Sequence, residues 1–113
     1  FPNLDVWLET LKNEFDHFKP DIVVCHSLAN ILWFHFVNKF DIQEIKKLML
    51  VSPVKQNCKI KEIETFFPYP IVSNLKAKEI IMVGSTNDKY MSVEEIIQLQ
   101  SELNIGLKIL DDA

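Results

Sequence analysis

Ser27 is the residue of this sequence whose position best suits chemistry. It follows a short apolar run at residues 22–25 and directly precedes a long apolar helical pattern that starts at Leu28. A Ser on a tight strand-to-helix turn presents its hydroxyl at the carboxyl end of a sheet, where the helix N-terminus favours developing negative charge. Cys25 and Ala29 are small enough to flank such a turn, although the usual G-x-S-x-G pattern has Gly at both places. We therefore predict that Ser27 is a nucleophile, with an ordinary N-cap as the alternative.

The elements that must position Ser27 alternate between helix and strand. Apolar residues recur at three- and four-residue intervals over residues 4–18, which predicts a surface helix, and Pro20 separates it from the apolar run 22–25. Because that run does not alternate, we expect a central strand that is buried on both faces. Residues 28–40 are apolar nearly all round, which is typical of a buried helix.

The second half of the chain continues this alternation. We predict a short helix at residues 42–46 and a strand at 48–51, followed by an irregular stretch at 54–78 that contains a short helix near 59–66. A strand at 79–83, a helix at 92–104 and a strand at 107–110 complete the chain. Ser92 and Glu95 have the capping-box spacing that begins a helix. The repetition predicts one α/β domain over residues 1–113, an open, mainly parallel sheet flanked by helices on both faces in three layers.

Composition limits the class of partner. The length of 113 residues suits one domain. The 12 basic and 16 acidic residues leave a formal charge of −4 and form no basic stripe, which makes nucleic acid a poor candidate. No apolar run approaches the roughly 18 residues that span a bilayer. We expect a soluble, cytoplasmic protein that acts on a small molecule and has neither nucleic-acid nor membrane partners.

Cysteines and glycines exclude several kinds of site. Cys25 and Cys58 are too few for a disulfide framework and lack the C-x-x-C spacing of zinc and redox sites, so we expect reduced thiols. No His or carboxylate cluster has metal-ligand spacing. With Gly84 and Gly106 as its two glycines, the chain also lacks the Gly-rich phosphate loop of a flavodoxin-like binding domain. We therefore predict chemistry without a metal or cofactor.

Five short segments follow one another along the whole chain in a characteristic order, at residues 1–3 (Phe-Pro-Asn), 7–11 (Trp-Leu-Glu-Thr-Leu), 23–29 (Val-Val-Cys-His-Ser-Leu-Ala), 50–54 (Leu-Val-Ser-Pro-Val) and 87–90 (Asn-Asp-Lys-Tyr). Their succession resembles the small serine hydrolases of the retinoblastoma-binding protein 9 family. The resemblance implies an α/β-hydrolase with a Ser, Asp, His triad that cleaves a small ester, amide or thioester through an acyl-enzyme. It places Ser27 as the nucleophile and implies a supporting role for His26.

The resemblance also implies an acid, and the nucleophile turn implies an oxyanion donor. The family's acid lies in an Asn-Asp-Pro-like turn after a later strand, which corresponds to Asp88, here with Lys in the Pro position. Asp88 follows the strand at 79–83, on the same sheet edge as Ser27, where it would orient a His and stabilise its cation. A plain turn Asp is the alternative. The N–H of Leu28 is the expected first oxyanion donor, and the second comes from a loop upstream of the chain.

The base of the triad is missing from these 113 residues. The order Ser, acid, His places the base after Asp88, yet no His follows His35. His17 and His35 fit surface or packing roles. In the family the His directly follows the last strand, which is the point at which this chain ends, at Ala113. The chain also starts abruptly, at Phe1. We expect a fragment that is nearly inactive by itself, because losing the base or an oxyanion donor costs orders of magnitude in rate.

A second hypothesis belongs to another functional class. A catalytically inactive hydrolase-like module could bind a protein partner through residues 66–70, Phe-Phe-Pro-Tyr-Pro, although this segment can equally lie flat over the core. A Gly-His pair directly after Ala113 would complete the triad and favour the enzyme. Its absence from the full-length protein would favour the binding module.

Overall fold

The computed structural model describes residues 2–111, so Phe1 and Ala113, on which the expectation of a fragment rests, lie outside the described residues. Its elements are, in order, α1 (Leu4–Phe18), β1 (Ile22–His26), α2 (Leu28–Lys39), β2 (Ile45–Val51), a 3-10 helix (Lys61–Phe66), β3 (Ala77–Ser85), α3 (Val93–Leu103) and β4 (Gly106–Leu110). The four predicted strands and the three longer predicted helices are confirmed. Within this range, none of the helices combines the length and apolar character that a membrane crossing requires.

The short helix predicted at residues 42–46 is wrong. The stretch leads directly into β2, which already begins at Ile45. The N–H of Ile45 donates to the carbonyl oxygen of Lys76 at 2.8 Å, and the N–H of Lys46 donates to that of Asp21 at 2.8 Å. Pairing with segments on either side therefore uses the backbone donors that a helix would need.

The four strands form one parallel sheet in the order β1-β2-β3-β4. Cys25 is in register with Leu50, which is in register with Met82, and all three side chains are buried. Parallel crossovers are right-handed in nearly all proteins, so a strand order that never reverses places successive crossovers on the same face of the sheet. The open parallel sheet flanked by helices is confirmed. In residues 2–111 the helices cover the face that carries these three side chains, and the helices predicted for the other face are not among the described elements.

The opposite face of the sheet is open in the described residues. Val24, Met49 and Ile81 are in register across β1, β2 and β3 on that face, and they are 63%, 39% and 36% exposed. β1 is also an edge strand of the described sheet. The prediction that β1 is buried on both faces is therefore wrong for this part of the chain, because no described helix lies over Val24.

Helix α2 forms the centre of the core. Trp33, Phe34 and Phe36 are at most 2% exposed, as expected for a helix that is apolar nearly all round. The indole N–H of Trp33 donates to the carbonyl oxygen of Leu75 at 3.1 Å, and the ring of Phe15 in α1 lies 5.3 Å from that of Phe36. Each such buried aromatic side chain contributes about 1.5–3 kcal/mol, so α2 and the turn that precedes it are firmly placed.

Helix α3 packs closely against β3 and begins with the predicted capping box. The Ser92 hydroxyl accepts from the Glu95 N–H at 3.2 Å, and the Glu95 carboxylate accepts from the Ser92 N–H at 2.9 Å. This backbone hydrogen bond from Ser92 is the main cause that lowers the pKa of Glu95. A Cβ on Gly84 would lie 2.8 Å from Cδ1 of Ile96, so the helix approaches the strand where only Gly fits easily. The loop that carries Asp88 is fixed between these two elements.

Candidate active site

The turn between β1 and α2 holds Ser27 in an unusual backbone conformation. Its φ of 57° and ψ of −119° lie in a region that is disfavoured for any residue with a Cβ. The Ser27 N–H donates to the carbonyl oxygen of Val51, at the end of β2, at 3.0 Å. Ser27 occupies the N-cap position of α2, but its hydroxyl makes no capping hydrogen bond, which disagrees with the ordinary cap considered as the alternative. Leu28 follows as the first residue of α2, where N–H groups have no partner within the helix.

Asn30 fastens this turn to the neighbouring strand. Its side chain is fully buried, and its amide nitrogen donates to the carbonyl oxygens of Ser27 and Val51, at 2.8 Å each. Its own N–H also donates to the carbonyl oxygen of Ser27 at 3.1 Å. Among the described residues, the amide oxygen of Asn30 has no hydrogen-bond partner. The Asn30 amide therefore supports the Ser27 conformation from below, and an Asn in the first turn of an apolar helix is the sequence signal that could have revealed it.

A cavity of about 920 Å³ opens at the carboxyl ends of the first three strands. Ser27, Ser52 and Ser85 stand at the ends of β1, β2 and β3 and line this cavity. The volume lies within the range of about 300–1,000 Å³ that is typical of small-molecule sites. The structure brings together all the predicted site residues, since the lining includes His26, Ser27, Leu28 and Asp88.

Asp88 lies in the turn after β3 and is half-buried. Its carboxylate accepts a hydrogen bond from the N–H of Tyr90 at 2.8 Å, and its own N–H donates to the carbonyl oxygen of Ser85 at 3.3 Å. This is the local geometry of a turn Asp, and one carboxylate oxygen is used in it. No His side chain within residues 2–111 hydrogen-bonds to Asp88. Its predicted role in orienting a base remains a prediction.

The three histidines have different surroundings. His26 is exposed and lines the cavity beside Ser27. The Nε2 atom of His35 lies 2.8 Å from the carbonyl oxygen of Phe66, so His35 ties α2 to the 3-10 helix. His17 packs edge-to-face against Phe18 on α1. His17 and His35 are therefore surface or packing residues, as expected. Of the three histidines, His26 is the one that lines the cavity.

Tyr69 supports the wall of the cavity that Val54 lines, a role that its place in the aromatic segment 66–70 does not predict. Tyr69 exchanges two backbone hydrogen bonds with the side chain of Gln56, at 2.8 and 2.6 Å, and its hydroxyl donates to the carbonyl oxygen of Val54 at 3.0 Å. Burial, and after it the negative charges of Glu102 and Glu95, raises the pKa of Tyr69. Each of these contacts crosses at least 13 residues of sequence, so no local pattern reveals them.

The segment 66–70 does not form a projecting docking surface. Phe66 and Tyr69 are 0% and 5% exposed, and their rings pack against Trp7 and Phe34. The segment lies flat over the core, which is the arrangement weighed against partner binding from the sequence. Its aromatic side chains at these two positions are therefore engaged in the fold.

The two thiols also differ. Cys25 is buried beneath the sheet face that the helices cover, and burial raises the pKa of its thiol to about 12. Cys58 is half-buried and lines the cavity. Both are free cysteines. In the part of the chain that the structure describes, no group of three or more His, Cys, Asp or Glu side chains could hold a metal ion.

Solved structures share this fold. A YdeN-like hydrolase from Pectobacterium atrosepticum superimposes with a TM-score of 0.76 at 21% sequence identity, over 99% of this chain and 57% of its own length. The ydeN gene product of B. subtilis gives 0.74 at 19% identity, over 96% of this chain and 62% of its own. The esterase domain of a Rhodothermus marinus protein gives 0.62 at 15% identity, over 97% and 56%. At these identities the likeness shows the α/β-hydrolase fold, and the chain spans less than two thirds of each of these structures.

No curated protein matches the chain. The family model described as Serine hydrolase, however, matches residues 1–113, which is the whole sequence. The match agrees with the strand, turn and helix around Ser27. The chain therefore belongs to the serine hydrolase family.

Proposed function

We propose that this protein hydrolyses a small ester, amide or thioester through an acyl-enzyme on Ser27. In this proposal the N–H of Leu28 binds the oxyanion, Asp88 orients a His that comes from outside residues 1–113, and His26 supports the turn. Within the serine hydrolase family we place the chain with the small hydrolases of the retinoblastoma-binding protein 9 type, on the five segments that resemble them. We also propose a cytoplasmic location, which is consistent with two free cysteines.

One observation carries the proposal. Ser27 stands in a strained conformation at the mouth of a cavity, with its hydroxyl unused for capping and the first turn of α2 beside it. Strain of this kind costs about 1–3 kcal/mol and is concentrated at functional sites. Asp88 lines the same cavity from the next-but-one strand, which is the relation that an acid and a nucleophile need in this chain order. The esterase domain among the similar structures is consistent with ester cleavage.

The proposed reaction has two steps, acylation of Ser27 and hydrolysis of the acyl-enzyme. The Ser27 oxygen attacks the carbonyl carbon while the base takes its proton, and the resulting oxyanion is stabilised by the N–H of Leu28. The bond to the leaving alcohol, amine or thiol then breaks, and the leaving group takes the proton from the base. In the second step, water attacks the acyl carbon while the base takes its proton, the bond to the Ser27 oxygen breaks, and the base returns the proton to that oxygen, which leaves the free acid and the Ser27 hydroxyl.

Labelling with a fluorophosphonate tests the nucleophile in the full-length protein. We expect one phosphonylated residue, identified as Ser27 by peptide mass spectrometry, and loss of the label in Ser27→Ala. Asp88→Asn should lower kcat for para-nitrophenyl acetate by roughly 10²–10⁴, because the base loses its orienting carboxylate.

Ser52→Ala is the matched control, since Ser52 lines the same cavity at the end of β2. This variant should label like the wild type. Equal labelling of Ser27→Ala and the wild type, or loss of the label in Ser52→Ala alone, would refute the assignment of the nucleophile. Circular dichroism on each variant excludes unfolding as the reason for a lost label.

A further inference from the structure

The charge of the cavity is opposite to that of the whole chain. The 113 residues carry a formal charge of −4, with 16 acidic residues against 12 basic ones. Among the described residues that line the cavity, three are lysines, Lys55, Lys59 and Lys89, and the one carboxylate is Asp88. Lysines outnumber carboxylates here on a protein in which carboxylates predominate. The cavity is therefore a local positive region on a negative surface.

Among the described residues, two of these lysines have no carboxylate partner. Lys55 Nζ lies 3.9 Å from a carboxylate oxygen of Glu95, so its charge is partly balanced. Lys59 and Lys89 form no ion pair within residues 2–111. They lie on the loops after β2 and β3, on separate stretches of the cavity lining. An anion in the cavity would meet positive charge from both loops.

The remaining wall of the cavity is apolar. The segment after β2 contributes Val54, Cys58, Ile60 and Ile63 to the lining, and Leu28 adds a further apolar side chain beside Ser27. Ile60 is 42% exposed, so this wall includes apolar surface that a bound hydrocarbon group would cover. The cavity thus combines an apolar wall with two lysines that form no ion pair in the described part of the chain.

We infer that the natural substrate is an anionic acyl compound, in which an apolar chain next to the scissile carbonyl is accompanied by a carboxylate or phosphate group. The inference rests on the proposed function, since it concerns the cavity that Ser27 lines. The apolar chain packs on the wall formed by residues 54–63, and the anionic group lies near Lys59 and Lys89. Because both lysines are at the exposed rim of the cavity, their contribution is screened by salt.

A matched pair of esters tests the inference on the full-length protein. Mono-para-nitrophenyl adipate carries a carboxylate at the end of its acyl chain, and para-nitrophenyl hexanoate has the same chain length without the charge. We expect kcat/KM to be about 10-fold higher for the adipate than for the hexanoate at low salt. The ratio of the two kcat/KM values should fall towards one at high salt, because salt screens the attraction of the lysines for the carboxylate. A third ester, the hexanoate of 4-hydroxy-3-nitrobenzoate, carries the charge on its leaving group.

Variants connect the preference to the lysines. In Lys59→Gln/Lys89→Gln, the ratio of kcat/KM for the adipate to that for the hexanoate should fall to about one. Lys61→Gln/Lys78→Gln removes the same two charges from the adjacent 3-10 helix and from β3, outside the cavity lining, and should keep the ratio. A similar fall in Lys61→Gln/Lys78→Gln would show that the general field of the protein, and not the cavity, selects the anion, and would overturn the inference.

The outcomes separate the inference from the proposed function. Preference for either anionic ester over the hexanoate supports the inference and shows which side of the scissile bond bears the charge. Hydrolysis of all three esters with equal kcat/KM overturns the inference and leaves the hydrolase intact. Absence of both hydrolysis and fluorophosphonate labelling in the folded full-length protein overturns the hydrolase and, with it, the inference.

Discussion

Replacing Ser27 by Gly is expected to stabilise the fold while it removes the proposed nucleophile. At φ 57° and ψ −119°, a residue with a Cβ loses about 1–3 kcal/mol to backbone strain. Gly avoids this strain, but it gives the unfolded chain more freedom, which costs about 0.5–1 kcal/mol. Ala keeps the strain and loses no capping hydrogen bond, because the Ser27 hydroxyl makes none. The free energy of unfolding should therefore be about 1 kcal/mol higher for Ser27→Gly than for Ser27→Ala.

Urea denaturation of the full-length protein measures this difference. A change of about 1 kcal/mol at an m-value of about 2 kcal/mol/M moves the midpoint by roughly 0.5 M. Ser101 is the matched control, because it is exposed within α3, where Gly should be about 1 kcal/mol less stable than Ala. The order of stability is thus expected to reverse between the two positions. If Gly is the less stable replacement at Ser27 as well, the strain assigned to this turn is wrong.

Three further predictions follow from buried contacts. Asn30→Leu loses two hydrogen bonds but also removes a buried oxygen without a described partner, so the free energy of unfolding should change by less than about 1 kcal/mol while fluorophosphonate labelling slows about 10–100-fold. Asn30→Asp should instead destabilise by about 3–5 kcal/mol, because it buries a carboxylate against two carbonyl oxygens. Equal labelling of the wild type and Asn30→Leu would contradict the supporting role. In a thiol titration at neutral pH, Cys58 should react in the native protein and Cys25 only on unfolding, because burial holds the pKa of Cys25 at about 12; two equally fast thiols would contradict this. Gly84→Ala should destabilise by about 1–3 kcal/mol in chemical denaturation and Gly106→Ala by less than about 0.5 kcal/mol, whereas equal effects would argue against a close approach of α3.

Local patterns in the sequence predict most of the elements because local physics decides them. The apolar repeat over residues 4–18 gives one helix face, and α1 has those bounds in the structure. The capping box needs only Ser92 and Glu95, three residues apart, and it forms as the spacing predicts. The same holds for the turn at Ser27, since a buried strand and a buried helix with no residues to spare between them leave little other geometry.

Features that depend on the order of strands escape such patterns. The non-alternating run in β1 predicts burial on both faces, yet Val24 is 63% exposed, because burial depends on what packs on a strand and not on its own residues. Residues 42–46 have a helical pattern, but the backbone N–H groups of Ile45 and Lys46 donate to segments that are distant in sequence, so the stretch leads into a strand. Likewise the contacts of Tyr69 join segments that are distant in sequence. All three features depend on tertiary contacts, which the sequence of a few neighbouring residues does not specify.

The choice among the three serines of the cavity depends on the residue that follows each one. Ser52 is followed by Pro53, which has no N–H to offer an oxyanion. Ser85 is followed by Thr86, whose N–H already donates to the carbonyl oxygen of Leu110 at 3.0 Å. Ser27 is followed by the first residue of α2, where N–H groups have no intrahelical partner and the helix dipole favours negative charge. A serine hydrolase needs such a donor within reach of its nucleophile, so the backbone that follows each strand supports Ser27 over its two neighbours.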